Sequence, residues 1–373
     1  MDALMLPLNW QRVRLGDIGK PCMCKRVMKH QTTRYGEIPF YKIGTFGNTA
    51  DAFISKKLFL EYKTKYSFPK KGDILISASG TIGRAVIYDG KPAYFQDSNI
   101  VWIDNDEILV KNDFLFYAYS NVKWNTEHTT ILRLYNDNFR NTLIPLPPLN
   151  EQIAIANILS ALNRYLCALD ALILKKEGVK KALSFELLSQ RKRLKGFNQA
   201  WQRVRLGDIA NYLISNLSAE QITQQGKIKV YDVNNFIGYT DTTFISDKPY
   251  ISIVKDGSVG RVRILPPKTN ILSTMGALIA NHRTTTEFLF YLLSDFDFKN
   301  FTSGSIIPHI YFKDYKEKTI FLPPLNEQIA IANILSTLDN EITSLKNKKR
   351  QFENIKKALN HDLMSAKIRV LKK

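Results

Sequence analysis

The stretch LPPLNEQIAIANILS occurs twice in the chain, at residues 146–160 and again at residues 322–336, and the two copies are identical. A second motif, WQRVRLGDI, is also found twice, at residues 10–18 and 201–209. Each half of the chain therefore has the same order: an entry motif, a variable block, a Pro-Pro motif and a long apolar segment. This self-similarity identifies an internal repeat and predicts two equivalent halves.

The two variable blocks have diverged, but weak similarities remain between them. GTIGR at residues 80–84 resembles GSVGR at residues 257–261, and FLFY at residues 114–117 recurs at 288–291. Short β-rich runs bounded by Gly, Asp or Asn predict strands in both blocks. We expect one fold with two different surfaces. A duplication without functional meaning is the alternative, and it does not explain why the blocks diverged between motifs that stayed identical.

The Pro-Pro motif precedes a long helix in each half. Asn150 is a suitable N-cap, and Glu151 suits the positive end of the helix dipole. Apolar residues recur near a period of 3.5 from Ile155 to Leu187. A helix from Ile153 to Lys195 would be about 60 Å long. A helix of this length needs a partner, and because each copy follows an equivalent domain, we expect the two copies to pair antiparallel. The alternative is two separate amphipathic helices, each lying on its own globule. The predicted pairing residues are Leu162, Leu166, Leu169, Leu183, Leu338, Ile342, Leu345 and Leu359.

The predicted fold class follows from these elements. It is α+β, with two similar α/β domains separated by two long antiparallel coiled-coil helices, related by a pseudo-two-fold internal repeat. The predicted boundaries are 1–145 for the first domain, 146–196 for the first helix, 197–321 for the second domain and 322–373 for the second helix.

Composition and charge narrow the class of protein. The 373 residues are 45% hydrophobic and 23% charged, which is typical of a globular chain and excludes collagen-like and disordered classes. The longest apolar stretch, 158–174, is interrupted by Asn163, Arg164 and Asp170, so we expect no membrane span. The first residues do not resemble a signal peptide, and we expect a cytoplasmic protein.

The chain is strongly basic, with 53 Lys and Arg against 34 Asp and Glu, a net charge of +19. This balance favours a polyanionic partner such as nucleic acid. Most of the excess lies in the helical segments 175–195 and 346–373. Those lysines could neutralise phosphates, or they could face acidic partner surfaces or solvent. We favour the second interpretation, because charged runs are usually solvated faces.

At this point the chain resembles a known family, the specificity subunits of type I restriction-modification systems. The resemblance rests on WQRVRLGDI at Trp10 and Trp201, on the paired LPPLNEQIAIANIL motif, and on GDILIS followed by a Gly-rich turn at residues 72–84. It covers essentially the whole chain in the family's order. The second block departs from the family pattern before its Gly-rich turn, at residues 249–257.

The resemblance implies a non-catalytic DNA-binding protein. It implies that each domain is a target-recognition domain that reads one half of an asymmetric bipartite target in double-stranded DNA. It also implies that the helices set the half-site spacing and dock two modification (methyltransferase) subunits, with restriction (motor-nuclease) subunits joining them. No cofactor is expected on this chain, and S-adenosylmethionine is expected on the modification subunits.

The residues independently favour a chain that performs no chemistry. The three cysteines and five histidines show no metal-ligand spacing. No GxxxxGK[ST] phosphate loop is present, and no Pro-Pro follows Asn or Asp as in adenine methyltransferases. Neither a catalytic residue nor a metal site is therefore predicted. Two other classes remain open: an RNA-binding or structural adaptor that bridges two protein partners, and a free-standing enzyme.

Candidate DNA-binding residues are basic or hydroxyl side chains near the Gly-rich turns and in basic loops. Arginine can donate to base edges, whereas lysines mostly contact phosphates, and a glycine turn allows close approach to a groove. An ordinary β-hairpin with an exposed arginine is the alternative for Arg84 and Arg261. The predicted set is Lys25, Arg26, Lys29, Gln31, Lys70, Lys71, Ser79, Thr81, Arg84, Lys255, Ser258, Arg261 and Arg263.

Overall fold

The computed structural model describes residues 7–128 and 132–370, and it divides the chain into two compact units. The first unit holds the described residues up to Leu169 together with those from Lys348 onward, and the second runs from Asp170 to Asn347. Each unit contains one globular domain, which we call a head. Head one is the part of the first unit before the helix that follows the first Pro-Pro motif, and head two is its counterpart in the second unit.

Eleven short strands and four short helices make up head one as described. Its strands are β1 (Gln11–Arg14), β2 (Gly19–Met23), β3 (Ile38–Tyr41), β4 (Phe53–Ile54), β5 (Ile74–Ser77), β6 (Ala85–Ile87), β7 (Tyr94–Phe95), β8 (Ile100–Asn105), β9 (Glu127–His128), β10 (Leu132–Arg133) and β11 (Leu143–Leu146). Its helices are α1 (Leu15–Ile18), α2 (Lys56–Lys65), α3 (Asn112–Tyr119) and α4 (Asn136–Asn141), and the long helix α5 (Leu149–Leu188) follows them.

Head two repeats this order, with a 3-10 turn at Leu206–Asp208 in place of α1 and no counterpart of α2 among the described residues. Its strands are β12 (Gln202–Arg205), β13 (Ala210–Ile214), β14 (Ile228–Tyr231), β15 (Phe236–Thr240), β16 (Tyr250–Val254), β17 (Val262–Leu265), β18 (Asn270–Ile271), β19 (Met275–Ala280), β20 (Thr302–Ser303), β21 (His309–Ile310) and β22 (Thr319–Leu322). Its helices are α6 (Thr286–Ser294) and α7 (Phe312–Tyr315), and the long helix α8 (Leu325–Met364) follows them.

The sheets confirm that the two variable blocks share one fold. The four-stranded sheet has the order β2-β8-β5-β6 in head one and β13-β19-β16-β17 in head two. The three-stranded sheets are β4-β3-β7 and β15-β14-β18, and in each the last pairing is parallel. The entry strands β1 and β12 pair antiparallel with β11 and β22, the strands that lead into the Pro-Pro motifs. The repeated motifs therefore form the same frame in each half.

The four-stranded sheet of head one is covered on both faces. Along β8, Val101 and Ile103 join one apolar cluster, whereas Ile100 and Trp102 join another. Alternate residues of a strand point to opposite faces, so this division places a core on each side of the sheet. The first cluster also contains Phe114 of α3. A continuous apolar run in a short strand is typical of a sheet buried on both faces.

The long helices pair antiparallel, as the repeated order of domain and helix predicts. Within the second unit, Lys176 lies 2.5 Å from Glu341, and Lys180 lies 2.6 Å from Asp339. As the number rises along α5 it falls along α8, which defines an antiparallel pair. Within the first unit, the rings of Tyr165 and Phe352 are 4.7 Å apart. The coiled-coil pairing of the fold class is therefore present in this structure.

Each unit packs parts of both helices against its own head. In the first unit, Ile155 and Leu159 of α5 and Leu363 of α8 lie in the core of head one. In the second, Leu335 of α8 and Leu187 of α5 lie in the core of head two. The hypothesis of two separate helices, each lying only on its own globule, is therefore wrong for the described residues. The core of each head therefore contains residues from the start of one long helix and from the end of the other.

The helix boundaries differ from the sequence prediction. Helix α5 begins at Leu149, so Asn150 lies in its first turn rather than at the N-cap. The carbonyl of Pro148 accepts the backbone N–H groups of Glu151 and Gln152 and starts the helix two residues earlier than an N-cap at Asn150 predicts. At the other end, α5 stops at Leu188, whereas we expected it to reach Lys195. Gln190 has a positive φ of 62°, a conformation that ends a helix.

Candidate nucleic-acid interface

Each head carries the same tight turn between two strands of its four-stranded sheet. In head one, Gly80 and Gly83 have φ values of +65° and +84°, and the N–H of Gly83 donates to the carbonyl of Ser77. In head two, Gly257 and Gly260 have φ values of +84° and +81°. Positive φ is a region that glycine adopts at little cost, which explains the G-x-x-G spacing.

An aromatic ring supports the second glycine of each turn. A Cβ at Gly83 would lie 2.0 Å from Nε1 of Trp124, and one at Gly260 would lie 2.7 Å from the ring of Phe298. Any side chain at these positions would displace the ring. The packed ring therefore holds the turn in place in each head, while the other residues around the two turns differ.

The predicted residues of the first turn have different surroundings. Arg84 is exposed, and its guanidinium donates to the carbonyl of Phe46 at 2.9 Å. Thr81 is exposed, and its carbonyl accepts the hydroxyl of Ser77. Ser79 is buried, and its hydroxyl donates to the side-chain oxygen of Asn99 at 2.8 Å. Ser79 is therefore placed to orient Asn99 rather than to extend from the surface.

A groove of about 510 Å³ in head one brings part of the predicted set together. Arg26 and Lys29 line it together with Arg133 and Asn99, neither of which we predicted from the sequence. Arg26 lies 2.8 Å from Asp97, which also lines the groove. Donors and an amide in one basic groove are the groups that contact phosphates and base edges.

Other predicted residues of head one lie outside this groove. Lys25 stands over the ring of Tyr66 at 5.0 Å. The side-chain oxygen of Gln31 accepts the N–H of Met28, so this amide holds its own loop. Lys70 pairs with Asp104 at 2.9 Å, and that hydrogen bond raises the pKa of Lys70. Lys71 is exposed beside Gly90.

Arg84 lines a different groove of about 490 Å³, together with Lys356 and Lys357 of α8. These lysines belong to the basic segment 346–373. The structure therefore places part of that segment next to a predicted DNA-contacting arginine of the same unit. This proximity favours the phosphate interpretation for these two lysines, although we preferred a partner or solvent role for the whole segment.

In head two, Asp256 contacts both Lys255 and His309. The hydrogen bond between its carboxylate and Nδ1 of His309 is 2.7 Å long, and Nζ of the predicted residue Lys255 lies 3.0 Å away. Burial raises the pKa of Asp256. The hydrogen bonds from His309 and Lys255 and the charge of Lys255 together lower it by more, so the pKa lies below its ordinary value. The carboxylate therefore stays charged at neutral pH.

Of the remaining predicted residues of head two, two are exposed and one contacts other residues of the head. Ser258 and Arg261 are exposed on the turn. Arg263 is half-buried: it donates to the carbonyl of Asn234, and its guanidinium stands 5.1 Å from the ring centre of Tyr231. Arg263 therefore stabilises the loop between β14 and β15.

Sequence reasoning missed the residues that face the Gly-rich turns from the next hairpin. Arg133 forms an isolated antiparallel bridge with Ser79, and His309 forms the same bridge with Asp256. A signal for this equivalence was available. ILRLY at residues 131–135 aligns with IPHIY at residues 307–311, at the same offset as the repeated Pro-Pro motif.

A buried carboxylate joins the entry motif to each long helix. Glu151 accepts from Nε1 of Trp10 at 3.0 Å and from two guanidinium nitrogens of Arg369. Glu327 accepts from Nε1 of Trp201 at 3.0 Å and from two guanidinium nitrogens of Arg193. Both carboxylates are buried at helix N-termini, where the dipole favours negative charge. These contacts fix each head on its helix.

The predicted helix-pairing residues are all at least partly buried. Leu166, Leu169 and Ile342 are buried in the structure. The others are half-buried, and two of them also pack against the core of a head, Leu183 in the second unit and Leu359 in the first. The half-buried set is Leu162, Leu183, Leu338, Leu345 and Leu359.

The described residues were also compared with the requirements of a metal site and of a membrane-spanning helix, and only the second is met by length and composition. Across residues 7–128 and 132–370, no group of three or more His, Cys, Asp or Glu side chains is placed to hold a metal ion. Helix α5 is long and apolar enough, by length and composition alone, to cross a membrane, with a mean hydropathy of 1.3 in one 18-residue window. Its pairing with α8 gives that apolar seam a protein partner.

Comparison with known proteins identifies a family model and several relatives. The model for the type I restriction modification DNA specificity domain matches residues 7–176 and again residues 198–354. A candidate type I restriction enzyme specificity subunit of Haemophilus influenzae is 63% identical over 148 residues, which are 39% of this chain and 38% of that protein. The MjaVIII specificity subunit of Methanocaldococcus jannaschii is 25% identical over 99% of this chain and 95% of its own length.

Solved structures show the same fold. The S subunit of a type I restriction-modification system from M. genitalium superposes with a TM-score of 0.65 at 20% identity, covering 96% of this chain and 98% of that one. A chain from a study of complex assembly and conformational transition of the type I system gives a TM-score of 0.55 at 16% identity, with the same coverage. At these identities the likeness is one of fold.

Proposed function

The chain belongs to the type I restriction modification DNA specificity domain family, and we propose that it is the DNA-reading subunit of a type I restriction-modification complex. Each head reads one half of an asymmetric bipartite target in double-stranded DNA. The subunit performs no chemistry itself. It acts on DNA in the cytoplasm.

The observation that carries this proposal is the pair of heads with one fold and two different polar surfaces. The Gly-rich turns and the sheet orders correspond, yet the residue before the first glycine is Ser79, bridged to Arg133, in head one and Asp256, bridged to His309, in head two. Base edges are distinguished by the pattern of donors and acceptors that meets them. Two heads with the same fold but different donors and acceptors are therefore expected to read two different half-sites.

The helices supply the surface for the partners. Leu149 and Ile153 at the start of α5 are 41% and 47% exposed, and their counterparts Leu325 and Ile329 in α8 are 45% and 49% exposed. Exposed apolar side chains at repeated positions suggest two equivalent interfaces. We assign one modification subunit to each interface. Those subunits bind S-adenosylmethionine and methylate adenine, and restriction subunits complete the nuclease.

The test is to express the full chain with modification subunits in a host that lacks the system. Sequencing of methylated bases in the host genome should then show one bipartite motif with two different half-sites and an unread gap. The chain alone, incubated with duplex DNA and labelled S-adenosylmethionine, should transfer no methyl group. Methyl transfer by the chain alone would assign it catalysis. Equal binding of the assembled complex to RNA and duplex DNA would instead identify an RNA-binding or structural adaptor.

A further inference from the structure

The two heads offer matched positions at which only the chemistry differs. In head one, the N–H of Leu134 donates to the carbonyl of Ala78 at 2.9 Å, next to the bridge between Ser79 and Arg133. In head two, the N–H of Ile310 donates to the carbonyl of Lys255, also at 2.9 Å, next to the bridge between Asp256 and His309. Each bridge directly precedes the first glycine of the turn. The backbone is therefore the same, and the bridging side chains are the variable part.

In head one, the bridge presents hydrogen-bond donors. The guanidinium of Arg133 donates to the carbonyl of Ser98 at 3.2 Å and to Oδ1 of Asn99 at 3.3 Å. Ser79 donates to the same amide oxygen. These bonds fix the position of the guanidinium, which lines the basic groove with Arg26 and Lys29. A fixed arginine matches the O6 and N7 acceptors of guanine.

In head two, the bridge presents hydrogen-bond acceptors. The carboxylate of Asp256 and the ring of His309 are 25% and 35% exposed, so both can be reached from the surface. When Nδ1–H donates to Asp256, Nε2 of the neutral imidazole is an acceptor. Carboxylate and imidazole acceptors match an exocyclic amino group, which cytosine and adenine carry in the major groove.

We infer that the residue pair at this bridge determines specificity, with Arg133 selecting guanine in one half-site and the Asp256–His309 pair selecting cytosine or adenine in the other. This inference rests on the proposed function and names the positions that read bases. Phosphate contacts do not account for the pair in head two, because a carboxylate repels phosphate. Lys255 next to Asp256 offsets that repulsion and lets the acceptor approach DNA.

The experiment exchanges the two bridges in the full chain, expressed with modification subunits, and determines the methylated motif by genome sequencing. Asp256→Ser combined with His309→Arg should change one base pair of the second half-site toward guanine and leave the first unchanged. Ser79→Asp combined with Arg133→His should change only the first half-site. Discrimination at the affected position should shift by roughly tenfold or more. Asp247→Ser, which removes an exposed carboxylate elsewhere in head two, is the matched control and should leave the motif unchanged.

The outcomes separate this inference from the proposed function. If the wild-type complex methylates no bipartite motif, the proposed function fails. If the wild type gives such a motif but both exchanges leave every position unchanged, the bridge does not read bases. An exchange variant that methylates nothing is replaced by His309→Gln. That variant is then tested for binding to a pool of random duplexes, where loss of preference at one position supports the inference and unchanged preference overturns it.

Discussion

Single buried carboxylates decide how each head is attached to its helix. Glu151 and Glu327 come from identical motifs, and from the sequence we expected the first of them only to interact with the helix dipole. The structure adds an indole and a guanidinium to each. Arg369 and Arg193 lie far from their partners along the chain, so no local pattern could predict these contacts. The repetition of tryptophan and glutamate in both halves was the available signal.

Replacing Glu327 with alanine should strongly destabilise the second unit. Its side chain is fully buried, and its loss would leave Nε1 of Trp201 and the guanidinium of Arg193 without their acceptor. Removing one partner of a buried pair costs about 3–5 kcal/mol. Thermal unfolding of the full chain, followed by circular dichroism, measures the loss. The control is Glu317→Ala, which breaks a half-exposed pair with Arg205 and should cost roughly 0–1 kcal/mol. Equal effects would contradict a structural role for Glu327.

The Asp256 carboxylate should contribute a stability that depends on pH. Its pKa lies below the ordinary value, so its contribution is present at neutral pH and is lost as the pH falls through the folded-state pKa. Urea midpoints of the wild type and of Asp256→Asn should differ at about pH 6 and converge toward about pH 3, below the ordinary carboxyl pKa. A difference that is the same at both pH values would show that the charge contributes nothing.

Among the elements, the long helices were the most predictable. Their apolar period is regular over many turns and correctly predicted a pair, and the repeat of the domain before each helix correctly predicted that the pair is antiparallel. Their ends were less predictable, since the Pro148 carbonyl and the backbone at Gln190 set them. Strands β2, β13 and β19 of the four-stranded sheets were missed, whereas β5, β6, β8, β16 and β17 were predicted from short β-rich runs. The pairing of β1 with β11 was not, because nothing local links residues so distant in the chain.

The helix interior contains one residue that can be improved. Gly178 lies within α5, and a Cβ there would meet nothing within 4 Å. Gly178→Ala should therefore stabilise the chain by about 1 kcal/mol, because alanine is the better helix former. A rise in the thermal midpoint is the expected result. Gly260→Ala is the opposing control, since its φ of +81° and the ring of Phe298 exclude a side chain, and its midpoint should fall. A lower midpoint for Gly178→Ala would mean that the glycine has another role.

The helices should also determine the number of unread base pairs. Inserting one or two helical turns after Leu174 should lengthen the gap between the half-sites while both half-sites stay the same. The motif methylated by the assembled complex gives the answer. The parent chain serves as the reference for spacing. A gap of unchanged length in a variant that still methylates would remove the spacing role from the helices.

At the scale of the whole molecule, the repeat made the architecture and the family predictable. The individual reading residues were not predictable, because they depend on which loops meet at the turn. Arg26 and Lys29 were found from charge alone, whereas Arg133 and His309 became visible only when the hairpin was placed against the turn. Because the two heads have the same fold, the Ser79–Arg133 and Asp256–His309 bridges can be compared directly, and their different side chains suggest which residues read bases.

The most direct test of the account is a domain exchange within the full chain. Residues 20–140 would be replaced by the corresponding block of another family member, and the chimera would be expressed with the modification subunits. Genome-wide sequencing of methylated bases should then show one new half-site, with the other half-site and the gap unchanged. A motif that changes in both halves, or in neither, would contradict the claim that two independent heads on one frame read the target.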